Sequence, residues 1–111
     1  MTSELDSWRQ NFTEVVARLA WPPQEQTNYL RGLGVGVDEL ALEFDDVHVP
    51  ERLALTDLEA AYASDIDRRL DAMSHAADVG PWSFSDLESD NRWAELREIA
   101  TSLLSSLTGK T

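Results

Sequence analysis

The stretch Val37–Val49, VDELALEFDDVHV, decides whether this chain is wholly helical or carries a strand. Read with a helical period, Val37, Leu40, Ala41, Phe44 and His48 share one face, and Glu39, Glu43 and Asp46 run along the opposite one. Read with a period of two, Leu40, Leu42 and Phe44 alternate with Ala41, Glu43 and Asp45. Glu, Ala and Asp sit poorly on a pleated, half-buried surface compared with Val, Ile and Thr. The reading is therefore a helix to about Asp46, then an irregular stretch through Pro50.

On either side the apolar period is clearer. Before it, Leu5, Trp8, Phe12, Val15, Val16 and Leu19 recur at spacings of three and four, with Ser3 placed as N-cap and Glu4 and Asp6 in the first turn. Glu14 and Arg18 are spaced for an i,i+4 pair on the outer face of that helix. Trp21-Pro22-Pro23 stops it, because proline lacks the donor that would continue the ladder and disfavours a helical residue before it. Pro23 suits the first turn of a second, short helix with Tyr29, Leu30 and Leu33 inward, closed by a left-handed Gly34.

After it, Thr56-Asp57-Leu58-Glu59 is a capping box. Leu58, Ala61, Tyr62, Ile66, Leu70 and Met73 then mark the expected buried face of a helix ending near Ser74, with Asp65 and Arg69 as an i,i+4 pair. Residues 76–83 read as a loop around Gly80-Pro81, and Ser83 or Ser85 caps a short turn. A last helix from about Asp90 to Leu107 buries Trp93, Leu96, Ile99, Ala100, Leu103, Leu104 and Leu107. The expectation is an all-α small bundle of three long helices plus one or two short connecting ones. It forms one domain over 1–111, with 108–111 a frayed tail.

Charge bounds the function. The chain carries twenty-one Asp and Glu against nine Lys and Arg, a formal charge of −12 over 111 residues. Ten of those acids and one base, Arg52, fall between Asp38 and Asp67, leaving −9 in that segment. Such a field repels nucleic acid and anionic membrane and attracts cationic partners within a Debye length of about 8 Å. Hydrophobic residues at 42% and four Trp are too many for a disordered acidic tail.

Chemical sites are hard to build from this composition. Without cysteine there is no disulfide, thiolate zinc site or thiol nucleophile. His48 and His75 have no partner at ligand spacing, so no metal is expected. A calcium loop beginning at Asp38 would put Glu43 where glycine is needed and Val49 where the bidentate Glu is needed. Gly32-Leu33-Gly34-Val35-Gly36 lacks the Lys-Ser/Thr ending of a phosphate loop and reads as a turn. Asp45 and Asp46 point about 100° apart on a helix and read as solvated, not as a catalytic pair. No enzyme activity and no cofactor are expected. No secretory signal opens the chain and no run approaches the roughly 20 apolar residues of a membrane span, so the expected location is the cytoplasm.

What remains is a surface. Trp8 and Trp93 lie on helical stripes and read as core, whereas Trp21 and Trp82 sit in Pro-containing loops, as lids over the bundle end or as binding anchors. Leu42 falls among Asp38, Asp45 and Asp46, either touching a neighbouring loop or standing as an apolar anchor ringed by acids. The candidate partner-binding set is Asp38, Glu39, Leu42, Glu43, Asp45, Asp46 and Trp82.

The stretch Tyr29–Asp46, YLRGLGVGVDELALEFDD, and the tryptophan helix around Trp93-Ala94-Glu95-Leu96 resemble small acidic actinobacterial proteins of the immunity-protein type found beside polymorphic toxins. The likeness spans about half the chain and carries no residue-level functional motif. It implies a non-catalytic domain that docks an acidic surface on a basic protein partner, such as a cationic toxin or nuclease. The charge alone fits equally an adaptor or regulatory module that self-associates or binds another protein, and an acidic surface that serves only solubility. The oligomeric state is not set by any of these features.

Overall fold

The computed structural model describes residues 4–109, with side chains from residue 6 onward; the Ser3 cap, the Leu5 side chain and the end of the 108–111 tail lie outside the described residues. Among these residues the chain is all-helical: α1 (Glu4–Ala20), α2 (Pro23–Leu33), α3 (Asp38–Val47), a 3-10 turn (Pro50–Arg52), α4 (Asp57–Ser74), α5 (Phe84–Ser89) and α6 (Asn91–Leu107). Val37–Val49 is thus helical over its acidic part, and Val37, Leu40 and Phe44 are buried. Three helices are long, as expected, but α2, α3, α5 and the 3-10 turn are more short elements than the one or two the sequence suggested.

The starts and stops follow local chemistry. Pro23 opens α2, and Gly34 ends it in the left-handed region at φ 73°. Thr56 and Glu59 form the reciprocal capping box of α4, and Ser83 and Asp86 form a second one on α5. Asp90 caps α6 by accepting from the Arg92 N–H at 2.9 Å. Thr108 closes that helix.

Packing is organised on α6. It lies mainly against α1 and α4, while α3 rests on α1, and α5 bridges α6 and α2. Phe12, Leu19, Phe44, Ile66, Trp93, Leu96 and Leu103 are completely buried in one continuous core. Phe12 meets Phe44 with ring centroids 5.9 Å apart, and the half-buried His48 stacks beside Phe44 at 5.0 Å. Trp8 is only half-buried, covered from outside by the Arg52 guanidinium 5.1 Å from its ring, so it borders the core instead of filling it.

Two polar clusters tie the ends of the bundle. At one end Glu59 is buried, with an exposure of 2%. Its carboxylate accepts from the Thr56 N–H at 3.0 Å and the Ser106 hydroxyl at 2.9 Å, and Arg9 lies 3.5 Å away. At the other end Gln26 is completely buried and donates to the Arg18 and Leu19 carbonyls at 2.9 and 3.1 Å, closing the C-terminus of α1. The Gln26 side-chain Oε1 in turn accepts from Arg97 at 3.2 Å, which also donates to the Leu87 carbonyl at 3.0 Å. Burial lowers the pKa of Arg97 from the ordinary guanidinium value.

The inner stripe of α4 is Glu59, Ala63, Ile66, Leu70 and Met73. Its period is the expected one, but its first turn is shifted: Glu59 points inward, Leu58 is 56% exposed and Ala61 is exposed. The physical reason is the carboxylate, whose partners beyond its own cap, Arg9 and Ser106, lie on α1 and α6 and hold that side of the helix inward. Leu33 is likewise 55% exposed, because α2 is covered over Gln26, Thr27 and Leu30 and its last residue projects past them.

Leu96→Ala should lower the unfolding free energy by about 2–5 kcal/mol through the cavity it leaves, and Leu58→Ala by no more than about 0.5 kcal/mol; chemical denaturation of both variants checks the contrast. Glu59 supplies a pH dependence. Burial opposes its ionisation, but the Thr56 N–H, the Ser106 hydroxyl and Arg9 outweigh burial and hold the carboxyl below the usual glutamate range. The folded state therefore releases this proton at lower pH than the unfolded chain does. The stabilisation is complete above the unfolded value of about 4.3 and is lost as pH falls through the lower folded value. Glu59→Gln should be less stable at neutral pH by about 1.5–3 kcal/mol, the range for hydrogen bonds to a charged group. Its stability should also decline less steeply below pH 5, as followed by thermal melts from pH 3 to 7.

Candidate interaction surface

Leu40 and Phe44 fasten α3 to the core, which turns the acidic side of that helix outward. The expected residues divide into three groups on it. Asp38, Asp45 and Asp46 are exposed and Leu42 is 52% exposed, as the helical reading requires. Glu39 is half-buried in the first turn.

Glu43 is engaged within the chain. It accepts from Arg18 Nε at 3.1 Å and from the Tyr29 hydroxyl, so Arg18 pairs across to α3 and not with Glu14 along its own helix. Arg18 also lies 5.1 Å from the Tyr29 ring centroid, and Trp21 meets that ring edge-on at 5.9 Å. Burial, then the hydrogen bond to Glu43, raises the Tyr29 pKa above its ordinary value. This cluster fixes α3 to α1 and α2, and its carboxylate is already neutralised.

Trp82 belongs to the loop between α4 and α5. It meets Trp93 edge-on with centroids 5.8 Å apart, while the Trp93 indole N–H donates to the buried Pro81 carbonyl at 2.6 Å. A side chain on Gly80 would meet the Trp82 ring at 2.4 Å and the Met73 carbonyl at 2.9 Å, so the loop closes tightly here. Trp82 is a half-buried lid on Trp93.

Two grooves flank α3. Toward α1, Glu43 and Asp46, three residues apart, line one of about 240 Å³ with Glu14 and Arg18. Toward α4, Leu42 and Asp45, again three apart, line one of about 200 Å³ together with Asp67, Leu70, Asp71 and Ser74. Asp67 and Asp71 were absent from the sequence-derived set. Their signal was present in the helical spacing 67, 70, 71, 74, which puts two carboxylates, a leucine and a serine on one face of α4. What the sequence lacked was the side-by-side placement of α3 and α4.

The charge of this face is uncompensated. Among the described residues no Lys, Arg or His forms an ion pair with Asp38, Asp45, Asp46 or Asp67, and Asp71 has only His75, 3.5 Å away, which neutralises it when protonated. Arg69, two residues from Asp67, reaches Asp65 at 3.2 Å and Glu95 at 2.8 Å. Arg92 holds Asp78 at 3.1 Å and Asp90 at 2.9 Å and keeps both carboxyls below their ordinary range. Among the described residues no three His, Asp or Glu side chains converge on a point where a metal ion could sit.

Comparison with family models, curated proteins and solved structures finds no match for this chain. The surface itself therefore carries the functional reading.

Proposed function

We propose that this chain is a non-catalytic protein-binding domain, an immunity-type neutraliser that docks the acidic face of α3 on a cationic toxin or nuclease. The supporting observation is the group of carboxylates Asp38, Asp45, Asp46 and Asp67, exposed and without an intramolecular cation among the described residues, around a half-exposed Leu42. Exposed charges of one sign speed encounter with an oppositely charged surface and disfavour wrong partners, while a desolvated apolar side chain sets how long the complex lasts. Two copies of this face repel each other, so charge favours a basic partner over self-association through α3. No described helix is long and apolar enough to cross a membrane, and on this reading the protein meets its partner in the cytoplasm.

The test is binding kinetics with the product of the adjacent reading frame, run at low and high salt. Asp45→Lys with Asp46→Lys should slow association by about tenfold or more at low ionic strength, with the difference shrinking as salt is raised. Leu42→Ala should instead raise the dissociation rate. An association rate indifferent to both charge reversal and salt would return the acidic face to a role in solubility.

A further inference from the structure

Deepening the reading above, and resting on it, we propose that the groove between α3 and α4 is the anchor site of that face, and that it takes one long cationic side chain, arginine or lysine, presented by the partner protein. Size and lining both lead there. A groove of about 200 Å³ between two helices has room for one extended side chain. Its apolar base is formed by Ala41, Leu42 and the almost fully buried Leu70, with the completely buried Phe44 behind them. Asp45, Asp67 and Asp71 stand around that apolar base.

The occupant must match both halves of this lining. A purely apolar side chain would cover Leu42 and Leu70 but bring no charge to Asp45 and Asp67 and hinder their hydration, an unfavourable arrangement. A metal ion would need ligands converging on a point, and no such group forms among the described residues. A lysine or arginine has a long methylene stem that packs on apolar surface and a charged head that reaches beyond it. Laid along the groove, the stem covers Leu42 and Leu70 while the head meets Asp45 and Asp67, which form no ion pair among the described residues. Arginine fits best, since its planar fork can engage two carboxylates at once.

The experiment separates this groove from the general acidic field by matching charge. The probe is an octa-arginine peptide, titrated calorimetrically at pH 8 and low salt into the whole chain. One double variant, Asp67→Asn with Asp71→Asn, empties the groove of two charges; the other, Asp46→Asn with Glu51→Gln, removes two exposed charges elsewhere. All four side chains are exposed, and circular dichroism of both variants checks that they fold. The groove variant should bind about tenfold or more weaker than the charge-matched control, the ratio expected when one charge-assisted contact is lost. Leu42→Ser should weaken binding several-fold at unchanged charge. Equal weakening by both double variants would overturn the groove and leave the acidic-face reading standing. No binding by the wild-type chain would overturn both.

Discussion

The buried carboxylate of Glu59 is the constraint to which the rest of the bundle answers. A charge withdrawn from water costs several kcal/mol unless it is paired and hydrogen-bonded, and removing one partner of such a group is strongly destabilising. Glu59 is satisfied by its own cap residue Thr56, by Ser106 near the end of α6 and by Arg9 near the start of α1. Those donors come from three helices, so the N-terminus of α4, the C-terminus of α6 and the first half of α1 must meet at one height. Gln26 and Arg97 impose the matching condition at the far end, where α1 stops and α2, α5 and α6 converge. Apolar burial supplies the driving force between the two clusters but is non-directional; the polar clusters fix the register.

That division of labour explains why so much negative charge is left on one side. The arginines act largely as ties between elements. Arg9 joins α1 to α4, Arg18 joins α1 to α3, Arg69 joins α4 to α6, and Arg92 joins α6 to the loop before α5. Arg97 goes to Gln26 and the Leu87 carbonyl, and Arg31 lies 4.8 Å from the Phe84 ring centroid. With the bases placed this way, Asp38, Asp45 and Asp46 on α3 and Asp67 on α4 form no ion pair among the described residues. Like charges gathered on a small domain repel one another and work against the compact state. On the proposed reading, a cationic partner relieves that repulsion and adds stability when it binds.

Much of the architecture was legible because its signals are local. The Pro22-Pro23 break, the left-handed Gly34, the Thr56–Glu59 box and the Phe12, Trp93 and Leu103 stripes each follow from residues within a few positions of one another. The errors share one cause. Whether Glu59 or Leu58 faces inward depends on Arg9 and Ser106, dozens of residues away, and Arg18 chooses Glu43 over the sequence-near Glu14 because α3 is laid against α1. The candidate surface was legible to the same extent. The exposed acids of α3 and Leu42 follow from the helical period, whereas Asp67 and Asp71 join them only through the packing of α4 beside α3.

On the proposed occupancy, the apolar base of the α3–α4 groove gives the charged face a means of selection that charge alone lacks. A field of carboxylates draws any cationic surface, and its attraction fades with salt over about 8 Å at physiological ionic strength. The apolar surface of Leu42 and Leu70 is indifferent to salt and responds to shape. A short cation such as histidine carries little methylene surface to cover it, while lysine and arginine carry three or four methylenes each. On the proposed occupancy, the acids therefore set how fast a basic partner arrives, and the groove decides which of its side chains stays.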